Sequence, residues 1–157
     1  MRKLLLTAAI LGSLSSVAFA DCTMENVAGT YGYVGFGTIV TTGANPLGFP
    51  PGTYSSVGTL AFDGKGNLLI TDTARVDDIF LPPTTYISTY KVDKQCVGSF
   101  TVAGFAGVVP APHFKVVFVD NRKGIRAISL LPGLIVNYVS TTRIEGGKHE
   151  NGKKQGN

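Results

Sequence analysis

Apolar and polar residues alternate with a period of two along most of this chain, in short runs punctuated by Gly, Pro, Asn and Asp. That is the pattern of half-buried β-strands joined by turns. It is clearest in V-G-T-L-A-F-D-G-K-G-N-L-L-I-T, Val57 to Thr71. Asp63-Gly64-Lys65-Gly66-Asn67 supplies side chains that cap a turn and glycines that tolerate positive φ. Pairing Phe62 with Leu68 and Leu60 with Ile70 puts these four side chains on one face, with Val57, Thr59, Ala61, Leu69 and Thr71 on the other. The four are expected to be buried.

The same reading extends along the chain. Thr30 to Val40 sets Tyr31, Tyr33, Gly35, Gly37 and Ile39 against Val34, Phe36 and Thr38. Its glycines suggest bends or close backbone approach, as in a sheet curling into a barrel. Thr41 to Thr53 is too rich in Gly and Pro for helix or central strand and reads as a long loop carrying Leu47 and Phe49. The second arm of the Val57–Thr71 hairpin extends toward Val76, with Asp72, Asp77 and Asp78 read as a solvated strand end. Pro82-Pro83 is expected to break the chain. In Thr84 to Val92, Tyr86, Ser88, Tyr90 and Val92 share a face, and Cys96 to Ala103 returns. His113–Asp120, Ile125–Leu131 and Leu134–Arg143 form a meander with short turns. Eight strands with short sequential connections must be antiparallel neighbours. The expected fold is all-β: an antiparallel up-and-down barrel of about eight strands, which leaves no sheet edge, with a small sandwich as competitor.

The two ends of the chain lie outside this pattern. Met1-Arg2-Lys3, the apolar Leu4–Leu14 and the small-x-small Ala18-Phe19-Ala20 read as a signal peptide over 1–20. Asp21 directly before Cys22 argues against a lipoprotein. The barrel domain is expected over 21–144 and a disordered polar tail over 145–157. An exported, periplasmic or extracellular, chain follows. Removing Arg2 and Lys3 leaves twelve basic against ten acidic residues, a balance that gives nucleic-acid binding little support. No membrane span is expected in the mature chain. A membrane barrel fits poorly with the Pro-rich loops, the polar tail and strands shorter than about 9–11 residues. The only two cysteines, Cys22 and Cys96, are expected to form one disulfide in an oxidising compartment.

Sequence motifs supply no chemistry. There is no nucleophile elbow, P-loop, dinucleotide fingerprint or His-rich metal spacing, so neither cofactor nor metal is expected. His113 reads as a surface residue. Tyr86, Tyr90, Asn137 and Tyr138 are candidates for polar tips inside an apolar cavity, the usual make-up of a small-ligand site. Arg126 is a further candidate. It shares parity with Ile128 and Leu130, so it marks either the barrel rim or an outward face.

Val27-Ala28-Gly29-Thr30-Tyr31 resembles the G-x-W element that opens lipocalin and avidin-like calycin barrels, with Tyr31 where those families have Trp. The resemblance implies that Arg143 on the last strand stacks on Tyr31. Gly29–Tyr31, the Gly58–Asn67 hairpin G-T-L-A-F-D-G-K-G-N and the Tyr90–Gly98 strand pair also resemble small exported bacterial proteins of unassigned function. Those proteins look similar to calycin-like or allene-oxide-cyclase-like barrels. The resemblance implies an exported barrel and transfers no catalytic residues.

The leading expectation is a non-enzymatic barrel that binds a small apolar or aromatic, lipophilic ligand, or an envelope or surface partner. The alternatives are a cyclase- or isomerase-type enzyme acting on a lipophilic substrate inside the barrel, and a structural or interaction module with a filled core. An open cavity with buried polar tips separates the first two from the third.

Overall fold

A computed structural model describes residues 21–40, 51–102, 112–140 and 143–144. The expected signal peptide, the apolar residues of the long loop and the polar tail lie outside them. The chain forms β1 (Gly29–Ile39), β2 (Gly52–Phe62), β3 (Asn67–Val76), β4 (Ile79–Val92), β5 (Val97–Val102), β6 (His113–Val119), β7 (Gly124–Ser129), β8 (Leu134–Ser140) and β9 (Arg143–Ile144). Among the described residues no helix is long and apolar enough to cross a membrane.

Each strand from β1 to β8 pairs antiparallel with the next, and β1 closes the circle. Its whole length pairs with β2, from Gly29↔Phe62 to Ile39↔Gly52. Its other edge pairs with β8 from Val34 to Ile39 and with β9 at Thr30 and Tyr31. The result is a closed eight-strand barrel in which the short β9 takes over the β1 edge where β8 ends. No strand of the closed ring is left with a free edge, which is the advantage of this architecture.

The hairpin register is the one the alternation predicts. Leu60 faces Ile70 and Phe62 faces Leu68, and all four are buried. The Asp63 carboxylate builds the turn: Oδ1 accepts from Lys65 N at 2.7 Å and Asn67 N at 2.9 Å. Those hydrogen bonds, that from the Asn67 side chain foremost, hold its carboxyl below the usual range. Gly64 and Gly66 take φ of 79° and 105°, conformations that favour glycine.

Three strand boundaries differ from expectation. Gly52 and Thr53 belong to β2, not to a loop. Pro82-Pro83 does not break the chain. β4 runs through it, and the register shifts because Asp72 pairs with Thr84 while Ala74 pairs with Leu81. Two steps on β3 thus match three on β4, a bulge, which is where a sheet accepts proline. The last run divides into β8 and β9.

One end of the barrel is plugged. Residues 21–28 cross it, fastened by a Cys22–Cys96 disulfide with Cα atoms 4.9 Å apart. Val27 is fully buried beneath Tyr31, Phe62 and Phe118, whose rings meet edge to face. Tyr31 Oη donates toward the Val27 and Arg122 carbonyls. Tyr90 Oη donates to Met24 O and accepts from Gly64 N. Arg143 pairs with Tyr31 across the sheet and donates to the Ala28 carbonyl, packing over Gly29.

Candidate functional site

The other half of the barrel is not filled. A cavity of about 200 Å³ lies beneath β2 to β6. Its walls are mostly apolar: Leu60, Ile70, Ala74 and Leu81 on one side, Phe100, Val102, Pro112 and Phe114 on the other. Exposed Pro82 and Thr84, at the β4 bulge, form part of its rim. Four tyrosines (Tyr33, Tyr54, Tyr86 and Tyr138) and Asp72 complete the lining. An aromatic wall is continuous along one flank. Tyr33 meets Tyr138 edge to face at 5.1 Å, Tyr138 meets Phe114 at 5.2 Å, and Phe114 stacks on Phe100 at 4.8 Å.

The polar centre is built by sheet register. Tyr33 pairs with Gly58 on β2, and Gly58 pairs with Asp72 on β3. All three lie in one cross-strand row with side-chain positions facing inward. Because Gly58 has no side chain, the Tyr33 ring crosses it and its hydroxyl donates to Asp72 Oδ1 at 2.7 Å. A Cβ on Gly58 would lie 2.9 Å from that hydroxyl and would also meet the Thr71 carbonyl. Tyr54 Oη donates to Asp72 Oδ2 at a longer 3.3 Å. Gly35 makes the corresponding space for Tyr138 and the Ser56 hydroxyl. Ser56 Oγ is buried without a hydrogen bond of acceptable geometry, although it lies close enough to the carboxylate to favour its charge.

Burial dominates the electrostatics. It raises the Asp72 carboxyl above its ordinary value, and the hydrogen bonds of Tyr33 and Tyr54 only partly offset it. Burial and the Asp72 charge push the Tyr33 phenol far above its usual range and Tyr54 up to about 12. Buried Tyr138 is raised as well. All three phenols therefore keep their protons at any physiological pH and serve as donors. Among the described residues the cavity lining contains no Lys, Arg or His, and Asp72 is the one charged group there.

Of the residues singled out from sequence, Tyr86 and Tyr138 reach this cavity. Tyr90 faces inward, but its hydroxyl is spent on the plugged end. Arg126 and Asn137 are corrected: both are exposed on the outer face. Arg126 lies flat there, donating to the Ile125 and Ser140 carbonyls, beside exposed Ile128 and Leu130. Asn137 had to point outward once its neighbour Tyr138 pointed in, since successive strand residues take opposite faces. His113 is exposed, with Nδ1 2.8 Å from Thr101 Oγ1.

Asp72, Tyr33 and Tyr54 are the residues that sequence reasoning passed over. Asp72 has the same parity as Leu68 and Ile70, which placed it inward. Its charge instead suggested a solvated strand end together with Asp77 and Asp78. Those two are exposed, and the described residues hold no group of three or more potential metal ligands. Compared with family models, with curated proteins and with solved structures, the chain matches none of them.

Proposed function

We propose that this protein is an exported binding protein, periplasmic or extracellular, that takes a small single-ring molecule into the unfilled half of its barrel. The observation that carries the reading is the contrast between the two halves. One is plugged with interlocking rings. The other leaves about 200 Å³ among apolar and aromatic walls, with a converging Tyr33–Asp72–Tyr54 group. Small-molecule sites combine a largely apolar pocket with a few placed polar groups in this way. An apolar cavity of about 150 Å³ suffices for benzene, so the space suits one ring with a short substituent. The disulfide suits an oxidising compartment.

A second reading, an isomerase or cyclase, draws on one feature. Asp72 is a half-buried carboxyl of raised proton affinity hydrogen-bonded to a phenol, which is a pair able to exchange protons with a bound substrate. Native mass spectrometry of protein purified from its own host tests both. A co-purifying unmodified small molecule supports binding, and a mixture of two isomers supports turnover. Empty protein that also binds no single-ring compound by calorimetry overturns both.

A further inference from the structure

We propose that the cavity selects a small ring-bearing amine, held through its protonated ammonium group by the Asp72 carboxylate. The inference rests on the reading of the cavity as a ligand site and names the chemical class it takes.

A buried carboxylate without a counter-ion is costly, and proteins keep one where a cation or a full set of donors compensates it. Around Asp72 the compensation is incomplete. The groups that favour its charge are neutral hydroxyls and a backbone N–H, and no cationic side chain among the described residues lines the cavity. The two tyrosines donate to its two oxygens, and the Ser56 hydroxyl and Thr73 N–H also favour its charge, but each of these groups is neutral, and the carboxylate borders open space.

The barrel also commits backbone to this placement. Gly58, between Tyr33 and Asp72, lets the phenol cross and fixes the carboxylate by its oxygen. A neutral cavity wall would need no such device. The rings of Tyr33, Tyr138 and Phe114 line the same cavity, and aromatic rings attract ammonium groups.

Other ligand classes lack a partner here. An anion meets a carboxylate and no cationic side chain in the lining. A metal ion meets one carboxylate and no cluster of ligands among the described residues. A purely apolar ring fills the space but leaves the Asp72 charge without a cationic partner.

The test is calorimetric titration of the disulfide-intact protein with benzylamine, benzyl alcohol and benzoate near neutral pH, repeated with Asp72→Asn. The expected result is benzylamine binding at least about tenfold tighter than benzyl alcohol, because only the ammonium brings a charge opposite to that of the carboxylate. Benzoate is expected not to bind. Asp72→Asn should abolish the preference for benzylamine over benzyl alcohol, costing benzylamine at least about tenfold more affinity than it costs benzyl alcohol. Thermal melts of the variant confirm its fold. Benzyl alcohol binding as tightly as benzylamine, or Asp72→Asn leaving benzylamine affinity intact, overturns the amine assignment while the cavity stands as a ligand site. Failure of all three probes overturns the ligand-site reading as well.

Discussion

Tyr33 and Asp72 sit two strands apart, yet the phenol of one donates a 2.7 Å hydrogen bond to the carboxylate of the other across the bare backbone of Gly58. Residues two strands apart are too far for ordinary cross-strand contact, and a tyrosine spans the gap because the intervening position has no side chain. Hydrogen bonds to charged groups contribute about 1.5–3 kcal/mol. Tyr33→Phe should therefore cost stability of that order at a pH where Asp72 carries its charge. The loss should shrink in acid, where the protonated carboxyl needs the donor less. Chemical denaturation at two pH values measures it. An equal loss at both would mean that the phenol contributes through packing alone.

Gly58→Ala tests the same row from the middle. The added methyl would meet the Thr71 carbonyl and crowd the Tyr33 hydroxyl. Alanine is ordinarily favoured over glycine in a strand, so propensity alone predicts a small gain. Steric conflict predicts the opposite, a loss of about 1–3 kcal/mol. The sign of the change in denaturation midpoint decides, and a stabilised variant would show that the row has room to spare.

Asp72→Asn should raise stability, and the gain should depend on pH in a defined direction. Burial raises the folded-state pKa of Asp72 above its unfolded value. The folded protein therefore holds the proton more tightly, and stability falls as pH rises from the unfolded pKa through the folded one. Above that window the cost of the buried charge is fully present. Below the ordinary carboxylate range both states are protonated and the cost vanishes. The melting-temperature advantage of Asp72→Asn over the parent should thus be largest near neutral pH and close toward about pH 4. A gap that stays constant with pH would show that Asp72 titrates as an ordinary surface carboxylate does.

The contrast between Asp72 and the hairpin around it shows how much was legible in the sequence. Leu60, Phe62, Leu68 and Ile70 could be placed because period-two alternation and turn chemistry agreed on one register. The barrel followed from repeating that argument strand by strand. Asp72 follows the same alternation, but a charged side chain inside a barrel contradicts the usual cost of burial, and the cost argument prevailed over the parity. What resolves the conflict is long-range: Tyr33 lies 39 positions earlier and donates through a gap left by Gly58. No local pattern carries that information. Asn137 and Tyr138 fell to a simpler rule, since adjacent strand residues cannot share a face. The proline pair at 82–83 reads as a terminator locally and becomes a bulge only because β3 is there to pair on either side.

Filling the cavity separates binding from stability. Ala74 is buried, lines the cavity and packs in the cluster of Ile39, Tyr54 and Val76. Ala74→Leu should occupy part of the space without touching the Asp72 hydrogen bonds. Cavity-filling changes commonly add about 0.5–2 kcal/mol. The expected outcome is a melting temperature unchanged or raised, with single-ring compounds losing at least about tenfold in affinity, as a filled site would. Undiminished binding would place the ligand elsewhere on the barrel.

The plugged end predicts what the disulfide does. Cys22 and Cys96 are 74 residues apart in sequence, so in the chain-entropy account their bond removes about 4 kcal/mol of freedom from the unfolded state. In the folded state it holds residues 21–28 over the barrel end, together with the Tyr31 and Tyr90 hydroxyls. Those hydroxyls and buried Val27 remain when the bond is reduced, so the plug should loosen rather than leave. A variant with both cysteines replaced by serine should lose about 2–5 kcal/mol and still fold at low temperature. Amide exchange should quicken first in residues 21–28 and in the turn around Gly64, which bonds to Tyr90. The second core cluster, around Ile39, Val76 and Val136, reaches the cavity through Tyr54 and Ala74 and should keep its protection, and ring compounds should keep their affinity. Loss of protection in both halves together would show that the barrel opens as a single unit and that the plug is part of one cooperative core.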